Sequence, residues 1–464
     1  MNLLDDVERL RPDYGNVIID GVEAVFARGP KMMRCGGKHV PMTQDLMSGT
    51  VRGYPADLEA ISASEIGRLG IDPRNGSAPL PLLTFDPSAW EQNCDAMFTY
   101  ARAVGSKIAP HAKTPMSPEL ARDLIKRGAS ALTVADTRQA KVMLENGLDR
   151  LILANQIGGK ASGARLGRLL AQYPSAEVTL YVDSLASLAT AGEVANNAGR
   201  PIDFLIEVGG GRAGSRTIET VSAILDGLAE FPTLRAAGIA AYEGASVTDD
   251  PQETRRAITA LHALASAAFS RLRSFRPNDR LTLSSGGSSF FDLVVEDLAP
   301  LVKADGNADL VLRSGAIFFC DHGVYARRLV ELDRRNGFAP AGIGLASNAF
   351  KPALLVYAEV LSRPEPELAI CGMGMRDVSF DQGLPVLVSC YRDGKAMDMA
   401  EGSEVIKLND QHAFLKIPAT ADLLVGDILC FGISHPCTAL DRWSWIFVTN
   451  SEGKVANALP TYFG

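Results

Sequence analysis

The sequence lacks several features that would place it in a specialised class of protein. Its seven cysteines are scattered and form no C-x-x-C pair, so disulfides are not implied. No block of lysine and arginine occurs, and the formal net charge of −8 gives no electrostatic reason to expect nucleic acid. No apolar run reaches the roughly 18 residues of a membrane span, and the acidic start MNLLDDVERL does not resemble a signal peptide. We therefore expect a cytoplasmic protein with a small soluble substrate and no nucleic-acid or membrane partner.

The repeated feature of the sequence is a short apolar run followed by a longer amphipathic segment. With 464 residues, 47% of them apolar, the chain can form one large domain and a smaller one. Strands alternating with helices predict a parallel sheet, and eight such units favour a closed (β/α)₈ TIM barrel of the α/β class, with an open doubly wound sheet as the alternative. The eight predicted strands lie in residues 80–86, 106–113, 130–136, 150–155, 178–184, 203–209, 234–244 and 280–288.

The pattern changes after residue 310, where strand-like runs follow one another closely and are separated by Gly, Pro, Asp and Asn. This spacing predicts a second, mostly β domain. We therefore predict three parts: an N-terminal extension at 1–79 that partly joins the β domain, a barrel at 80–325, and the C-terminal β domain at 326–464.

One lysine stands out in the stretch PHAKTPMSP, residues 110–118. Lys113 ends the second predicted strand, where TIM barrels carry their active groups, and His111 two residues earlier points to the same side. A lysine here either extends its amine to solvent or forms a Schiff base.

The turn Ser284 to Ser288, SSGGS, ends the eighth predicted strand. Its backbone N–H groups suit an anion such as phosphate, although a flexible loop would have the same composition. A strand-end lysine and an anion site in one barrel together suggest pyridoxal phosphate.

A third motif, His435-Pro436-Cys437, places two zinc-type ligands on one side of a strand-like segment. The alternative is an edge histidine beside a buried cysteine. Two ligands are too few for a closed structural zinc site.

These motifs carry a family resemblance. PHAKTPMSPELA, TVAD, ILANQ, IEVGGGRAGSRT, AAYEG, SSGGSSFFD, VLRSGAIFFCDHGVY and GISHPCTALDRWSWIFV resemble the fold-type III pyridoxal-phosphate enzymes, and within them the D-serine dehydratase and D-threonine aldolase branch. The resemblance covers 80–325 and 425–448 and implies an alanine-racemase-like barrel. It implies that Lys113 is the Schiff-base lysine, that Gly286, Gly287 and Ser288 hold the phosphate, that Tyr242 lies against the cofactor ring, and that Arg212 lies near the cofactor's phenolic oxygen.

The resemblance also bears on the metal and the reaction. The dehydratases carry H-x-C where the aldolases carry H-x-D, which implies zinc on His435 and Cys437 in the β domain, since thiolate favours zinc. The implied activity is dehydration of D-3-hydroxy amino acids such as D-serine or D-threonine, which yields a 2-keto acid and ammonia. A D-threonine-type aldolase that yields glycine and an aldehyde, a racemase, and a non-catalytic cofactor-binding protein remain as alternatives. The sequence departs from many relatives at Pro115-Met116, where they carry a basic residue or histidine. A homodimer is expected by resemblance.

Overall fold

The computed structural model describes residues 46–463, beginning with a short N-terminal part. Strands β1 (Leu46–Met47) and β2 (Ile61–Ser62) pair with each other, and a 3₁₀ helix follows at Ala63–Leu69. This part packs its apolar side chains, among them Ile66, against Trp445 and Phe447 of the C-terminal domain. The predicted extension at 1–79 lies outside the described residues as far as residue 45. Strand β3 (Leu82–Phe85) comes next in the chain.

Eight parallel strands then form one sheet with helices between them. The strands are β4 (Lys107–Ile108), β5 (Leu132–Val134), β6 (Arg150–Leu153), β7 (Glu177–Val182), β8 (Ile202–Glu207), β9 (Leu234–Ala240), β10 (Leu281–Ser285) and β11 (Ala308–Leu312). The helices are α1 (Pro87–Ala103), α2 (Pro118–Lys126), α3 (Thr137–Glu145), α4 (Gly159–Ala171), α5 (Leu185–Ala198), α6 (Ile218–Gly227), α7 (Pro251–Phe275) and α8 (Phe291–Asp305).

The ends of this sheet meet and close it into a barrel. In order, the strands are β4, β11, β10, β9, β8, β7, β6 and β5. The chain that continues from β4 pairs with β5, because Thr133 N–H donates to the Pro110 carbonyl and Ala112 N–H donates to the Thr133 carbonyl, both at 2.8 Å. The predicted TIM-barrel class is confirmed. Several helices begin at a capping side chain, for example α3, where the Asp136 side chain accepts from Gln139 N–H at 2.7 Å.

The C-terminal domain is a mostly antiparallel sheet, as predicted. It is preceded by α9 (Val324–Arg334), α10 (Ala346–Ala349) and 3₁₀ turns. Its strands are β12 (Leu354–Glu365), β13 (Leu368–Cys371), β14 (Val386–Arg392), β15 (Lys395–Met397), β16 (Glu404–Leu408), β17 (Ala413–Lys416), β18 (Ile428–Gly432), β19 (Trp445–Thr449) and β20 (Val455–Pro460), with the short helix α11 (Pro436–Leu440) between β18 and β19.

One strand assignment from the sequence is wrong. Strand β3, predicted as the first barrel strand, pairs antiparallel with β12 and parallel with β19, so it belongs to the C-terminal sheet. The eighth barrel strand is β11, which lies inside the predicted barrel range 80–325 but was not among the eight predicted strands. A short buried apolar run does not indicate which sheet it joins, which explains the error. Lys113 therefore follows the first barrel strand, Tyr242 the sixth, and the SSGGS turn ends the seventh.

Within residues 46–463, no helix combines the length and the apolar character needed to cross a bilayer.

Candidate active site

A cavity of about 550 Å³ opens at the carboxyl ends of the barrel strands, where helix α11 of the C-terminal domain forms part of its wall. Such a volume is typical of small-molecule sites. The cavity is lined by every site residue that the sequence predicts, namely Lys113, Arg212, Tyr242, Gly286, Gly287, Ser288, His435 and Cys437. Residues that lie as far apart in the chain as 113 and 437 are thus brought to one place.

Lys113 lies in the turn that follows β4, and its side chain is exposed at the cavity. Its backbone N–H donates to Nδ1 of His111 at 3.4 Å. Burial, with the nearby charges of Lys113 and Arg313, lowers the pKa of His111 well below its ordinary value. His111 is therefore a neutral neighbour of the lysine. Pro115 and Met116, where many relatives carry a basic residue or histidine, are buried and do not line the cavity. These two positions therefore provide no polar contact to a ligand.

The glycine turn is occupied by a carboxylate of the protein itself. Glu243 is fully buried, and it accepts from Gly286 N–H at 3.0 Å, Gly287 N–H at 2.5 Å and the Ser285 hydroxyl at 3.0 Å. Gly286 has a φ of +99°, which favours glycine. The two N–H groups that the resemblance gives to the phosphate thus contact Glu243 in this structure. The sequence offered no signal for this contact.

A second group of donors lies beside that turn, around Ser288. The Ser288 hydroxyl accepts from the N–H groups of Gly315 at 3.2 Å and Ile317 at 3.1 Å. The Tyr325 hydroxyl also bonds Ser288, and burial raises its pKa well above the ordinary value, so it stays a neutral donor. Ala316 begins a 3₁₀ turn, so its N–H has no acceptor within that turn. Ser288, Ala316 and Tyr325 all line the cavity, and together they fit an anionic group such as phosphate.

Two arginines face the same space. The Arg212 guanidinium lies over the Tyr242 ring at 5.2 Å and 3.7 Å from the Glu207 carboxylate. Arg313 is buried and donates to the Ser284 hydroxyl at 2.5 Å and to the Ala241 carbonyl at 2.6 Å. Within residues 46–463, no carboxylate forms an ion pair with Arg313. Its buried positive charge therefore favours an anionic or electron-rich ligand in the cavity.

Arg313 directly follows an apolar run but was not predicted from the sequence. Tyr181 was missed as well. It also lines the cavity, and its buried hydroxyl has no hydrogen-bond partner among the described residues. A buried hydroxyl without a partner suits a ligand that supplies one.

His435 and Cys437 lie at the start of α11 and contact each other. The thiol also bonds the Thr114 hydroxyl at 3.3 Å, and Thr114 adjoins Lys113. Burial lowers the pKa of His435, but the hydrogen bonds and charges of Cys437 and Asp381 outweigh it and raise this pKa to about 9. Burial opposes ionisation of Cys437, yet His435, Thr114 and Lys113 lower the pKa of its thiol. The pair thus favours a thiolate.

An imidazole nitrogen and a thiolate match the donors that zinc prefers. In the part of the chain that the structure describes, no third His, Cys, Asp or Glu joins them to form a metal-binding cluster. The chemistry of the pair thus fits an open site, in which an ion would take its other ligands from the cavity.

Both domains match families of known proteins. Residues 85–291 match the family model "Alanine racemase, N-terminal domain", and residues 353–449 match "Putative serine dehydratase domain". The chain is 26% identical to a D-threonine aldolase of Arthrobacter sp. over 360 residues, which cover 76% of this chain and 85% of that one. It is 25% identical to a 3-hydroxy-D-aspartate aldolase of Paracoccus denitrificans over 343 residues, 71% of this chain and 82% of that one.

Two solved structures share the fold. The D-threonine aldolase of Filomicrobium marinum matches with a TM-score of 0.67 and 22% identity, over 85% of this chain and 97% of that one. The D-threo-3-hydroxyaspartate dehydratase of Delftia sp. HT23 matches with a TM-score of 0.64 and 21% identity, over 83% and 98%. The predicted resemblance to the fold-type III group, and to its branch of D-hydroxy amino acid lyases, is confirmed.

Proposed function

We propose that this protein is a pyridoxal-phosphate-dependent lyase of D-3-hydroxy amino acids, and specifically a zinc-dependent dehydratase that yields a 2-keto acid and ammonia. The observation that carries the proposal is the contact between the Thr114 hydroxyl and the Cys437 thiol at 3.3 Å. It brings Lys113 of the barrel and the histidine-cysteine pair of the β domain into one cavity. A base and a metal pair so placed can act on neighbouring carbons of one substrate.

The cavity residues divide the binding of the cofactor among them. Lys113 offers the amine for covalent attachment, while Ser288, Ala316 and Tyr325 offer donors to the phosphate. The Tyr242 ring supplies a flat apolar contact, and Arg313 supplies positive charge. The cofactor, when bound, supplies an electron sink for the charge left at Cα when a bond to it breaks.

Lys113 would hold and move the proton of the reaction. Its amine faces the cavity beside His111, whose lowered pKa keeps the imidazole neutral. His111 therefore adds no second positive charge next to Lys113 that would bind the substrate carboxylate. A base on one side of the cavity removes a Cα proton that points toward it, and this requirement selects one enantiomer.

His435 and Cys437 would hold zinc next to the β-hydroxyl of the substrate, where the ion supplies Lewis acidity. A soft thiolate favours zinc over the harder ions that carboxylate sites select. Cys437 is the reason to favour loss of the hydroxyl over loss of its proton, and therefore dehydration over cleavage between Cα and Cβ.

The second candidate is the aldolase reaction, which gives glycine and an aldehyde. The relatives of Arthrobacter and Paracoccus, at 26% and 25% identity, carry aldolase names. The same base and metal pair serve that reaction. A non-catalytic cofactor-binding protein would need neither the metal pair nor a β domain beside the cavity.

A product panel decides between these reactions. The enzyme, loaded with pyridoxal phosphate and zinc, is incubated with D- and L-forms of serine, threonine, phenylserine and 3-hydroxyaspartate, and ammonia, keto acid and aldehyde are measured together. We expect equal amounts of ammonia and keto acid from D-substrates. Glycine with aldehyde as the main products would transfer the function to the aldolase, and no turnover of any substrate would refute lyase activity on this panel.

We further propose a homodimer. Apolar side chains are exposed on and before β14, including Phe380, Leu384, Val386 and Val388. An exposed patch of this kind commonly marks a protein interface. Light scattering coupled to size exclusion would give twice the chain mass, and a monomer at micromolar concentration would contradict the proposal.

A further inference from the structure

Asp381 contacts the outer side of the predicted metal pair. It lies in the segment between β13 and β14, and its Oδ2 is 2.7 Å from Nδ1 of His435. Its other oxygen accepts from the Thr438 hydroxyl at 2.5 Å. The carboxylate therefore contacts Nδ1 of the His435 ring directly.

The backbone around His435 is held by the same segment. The Ser379 hydroxyl accepts from the N–H groups of Ser434 at 3.1 Å and His435 at 3.0 Å. Ser379 and Ser434 are fully buried, so these bonds are shielded from water. Ser379 fixes the position of the His435 backbone, and Asp381 fixes the rotation of its ring.

We propose that Asp381 is the positioning residue of the metal pair, an inference that rests on the proposed function. An acceptor at Nδ1 keeps the proton on that nitrogen, so Nε2 presents its lone pair. The described Nδ1 contact leaves Nε2 as the nitrogen for an ion shared with Cys437. Carboxylates that orient a ligating histidine in this way also make it a stronger ligand.

The small number of protein ligands makes this orientation important. With His435 and Cys437 as the two protein ligands, each supplies a large share of the affinity for zinc. An imidazole ring that rotates freely would lose its share of that affinity. Another carboxylate of the cavity, Asp441, is bonded to Arg442 at 2.7 Å. It carries the same charge as Asp381 but forms no hydrogen bond with His435 among the described residues, so it serves as a matched control.

The test measures zinc affinity, independently of turnover. Enzyme loaded with pyridoxal phosphate is stripped of metal, and zinc is titrated in competition with a chromogenic chelator. Asp381→Asn should weaken zinc binding about 10- to 100-fold, the range typical for loss of such a partner. Asp381→Glu, which keeps a carboxylate, should recover part of the loss, while Asp441→Asn and Thr438→Val should each change the affinity by less than about threefold.

The outcomes separate this inference from the proposed function. Equal zinc affinity of Asp381→Asn and the unsubstituted enzyme, with unchanged cofactor absorbance and melting temperature, overturns the role of Asp381. An equal loss in Asp441→Asn also overturns it, because the effect would then be one of charge alone. If Asp381→Asn does not fold, Asp381→Glu against Asp441→Asn carries the comparison. Zinc binding that survives loss of Cys437 overturns the metal assignment and this inference together, whereas aldehyde production with the expected affinities overturns the dehydratase alone.

Discussion

Glu243 offers the sharpest test of how the cavity is built. Its carboxylate is fully buried and accepts from Ser285, Gly286 and Gly287. Replacing Glu243 by alanine removes all three hydrogen bonds at once. The glycine turn then loses what holds it, and Ser288 loses its fixed position.

The magnitude follows from the donors left behind. A buried donor without a partner costs about 1–3 kcal/mol. Gly286 is buried, whereas Gly287 is half-buried, so water can reach its N–H, and the Ser285 hydroxyl can rotate. We therefore count one full penalty for Gly286 and smaller ones for Gly287 and Ser285, and expect Glu243→Ala to lower the free energy of unfolding by about 3 kcal/mol. Glu243→Gln keeps one oxygen but turns an amide donor toward a second N–H, so an intermediate loss is expected.

The assay is urea unfolding of the cofactor-loaded protein, followed by fluorescence and circular dichroism, together with the dissociation constant of pyridoxal phosphate. Glu296→Ala is the control, because Glu296 is exposed and its ion pair with Arg255 should contribute less than about 1 kcal/mol. Glu243→Ala should show both a lower midpoint and weaker cofactor binding. A midpoint equal to that of Glu296→Ala would refute the argument that this carboxylate holds the turn.

Four further outcomes are expected. Purified protein should be yellow, and borohydride should fix the cofactor onto Lys113; mass spectrometry that finds the adduct on another lysine would contradict the assignment. D-serine should react and L-serine should not, so equal ammonia release from both would count against a one-sided base. Chelation should abolish ammonia release while the cofactor stays bound, and added zinc should restore the release; full activity after chelation would exclude zinc. Cys437→Asp loaded with manganese should release more aldehyde than the unsubstituted enzyme.

The fourth concerns Asp321, whose pKa burial raises from 3.8 to about 7. The stability that the neutral carboxyl contributes is fully present below about pH 4 and is lost as the pH rises toward 7. Asparagine does not ionise, so the free energy of unfolding of Asp321→Asn should increase relative to that of the unsubstituted protein over this range, by on the order of 4 kcal/mol. A pH-independent difference in urea midpoints would contradict this.

Much of the site could be predicted from the sequence because its chemistry is local. A lysine before prolines, a glycine-serine turn and an H-x-C pair are each contained in a few residues, and all of them line the cavity. Asp381 and Glu243 could not be found in this way. Asp381 contacts His435 across 54 residues of chain. In the sequence, Glu243 resembles any acidic loop residue, and only the fold shows that its side chain is buried.

The fold shows the same limit at β3 and β11. The sequence predicts both as buried strands, since apolar runs of this length are typical of strands. Which sheet each joins depends on hydrogen bonds to partners far along the chain, such as Leu355 opposite Thr84 and Lys107 opposite Val311. Alternation of strands and helices therefore predicted the barrel and its eight strands, but β3 was counted among them in exchange for β11.

That exchanged strand bears on the chemistry. Strand β3 pairs with β12 and β19 of the C-terminal sheet, and the chain passes directly from it into α1 of the barrel at Pro87. The two domains are thus joined by a strand that belongs to one and a helix that belongs to the other. The Thr114–Cys437 contact depends on this arrangement, because Thr114 comes from the barrel and Cys437 from helix α11 between β18 and β19. A shift of one domain against the other would separate Lys113 from the histidine-cysteine pair before it disturbed either group alone, so the proposed dehydratase reaction would need the domain contact as much as its individual residues.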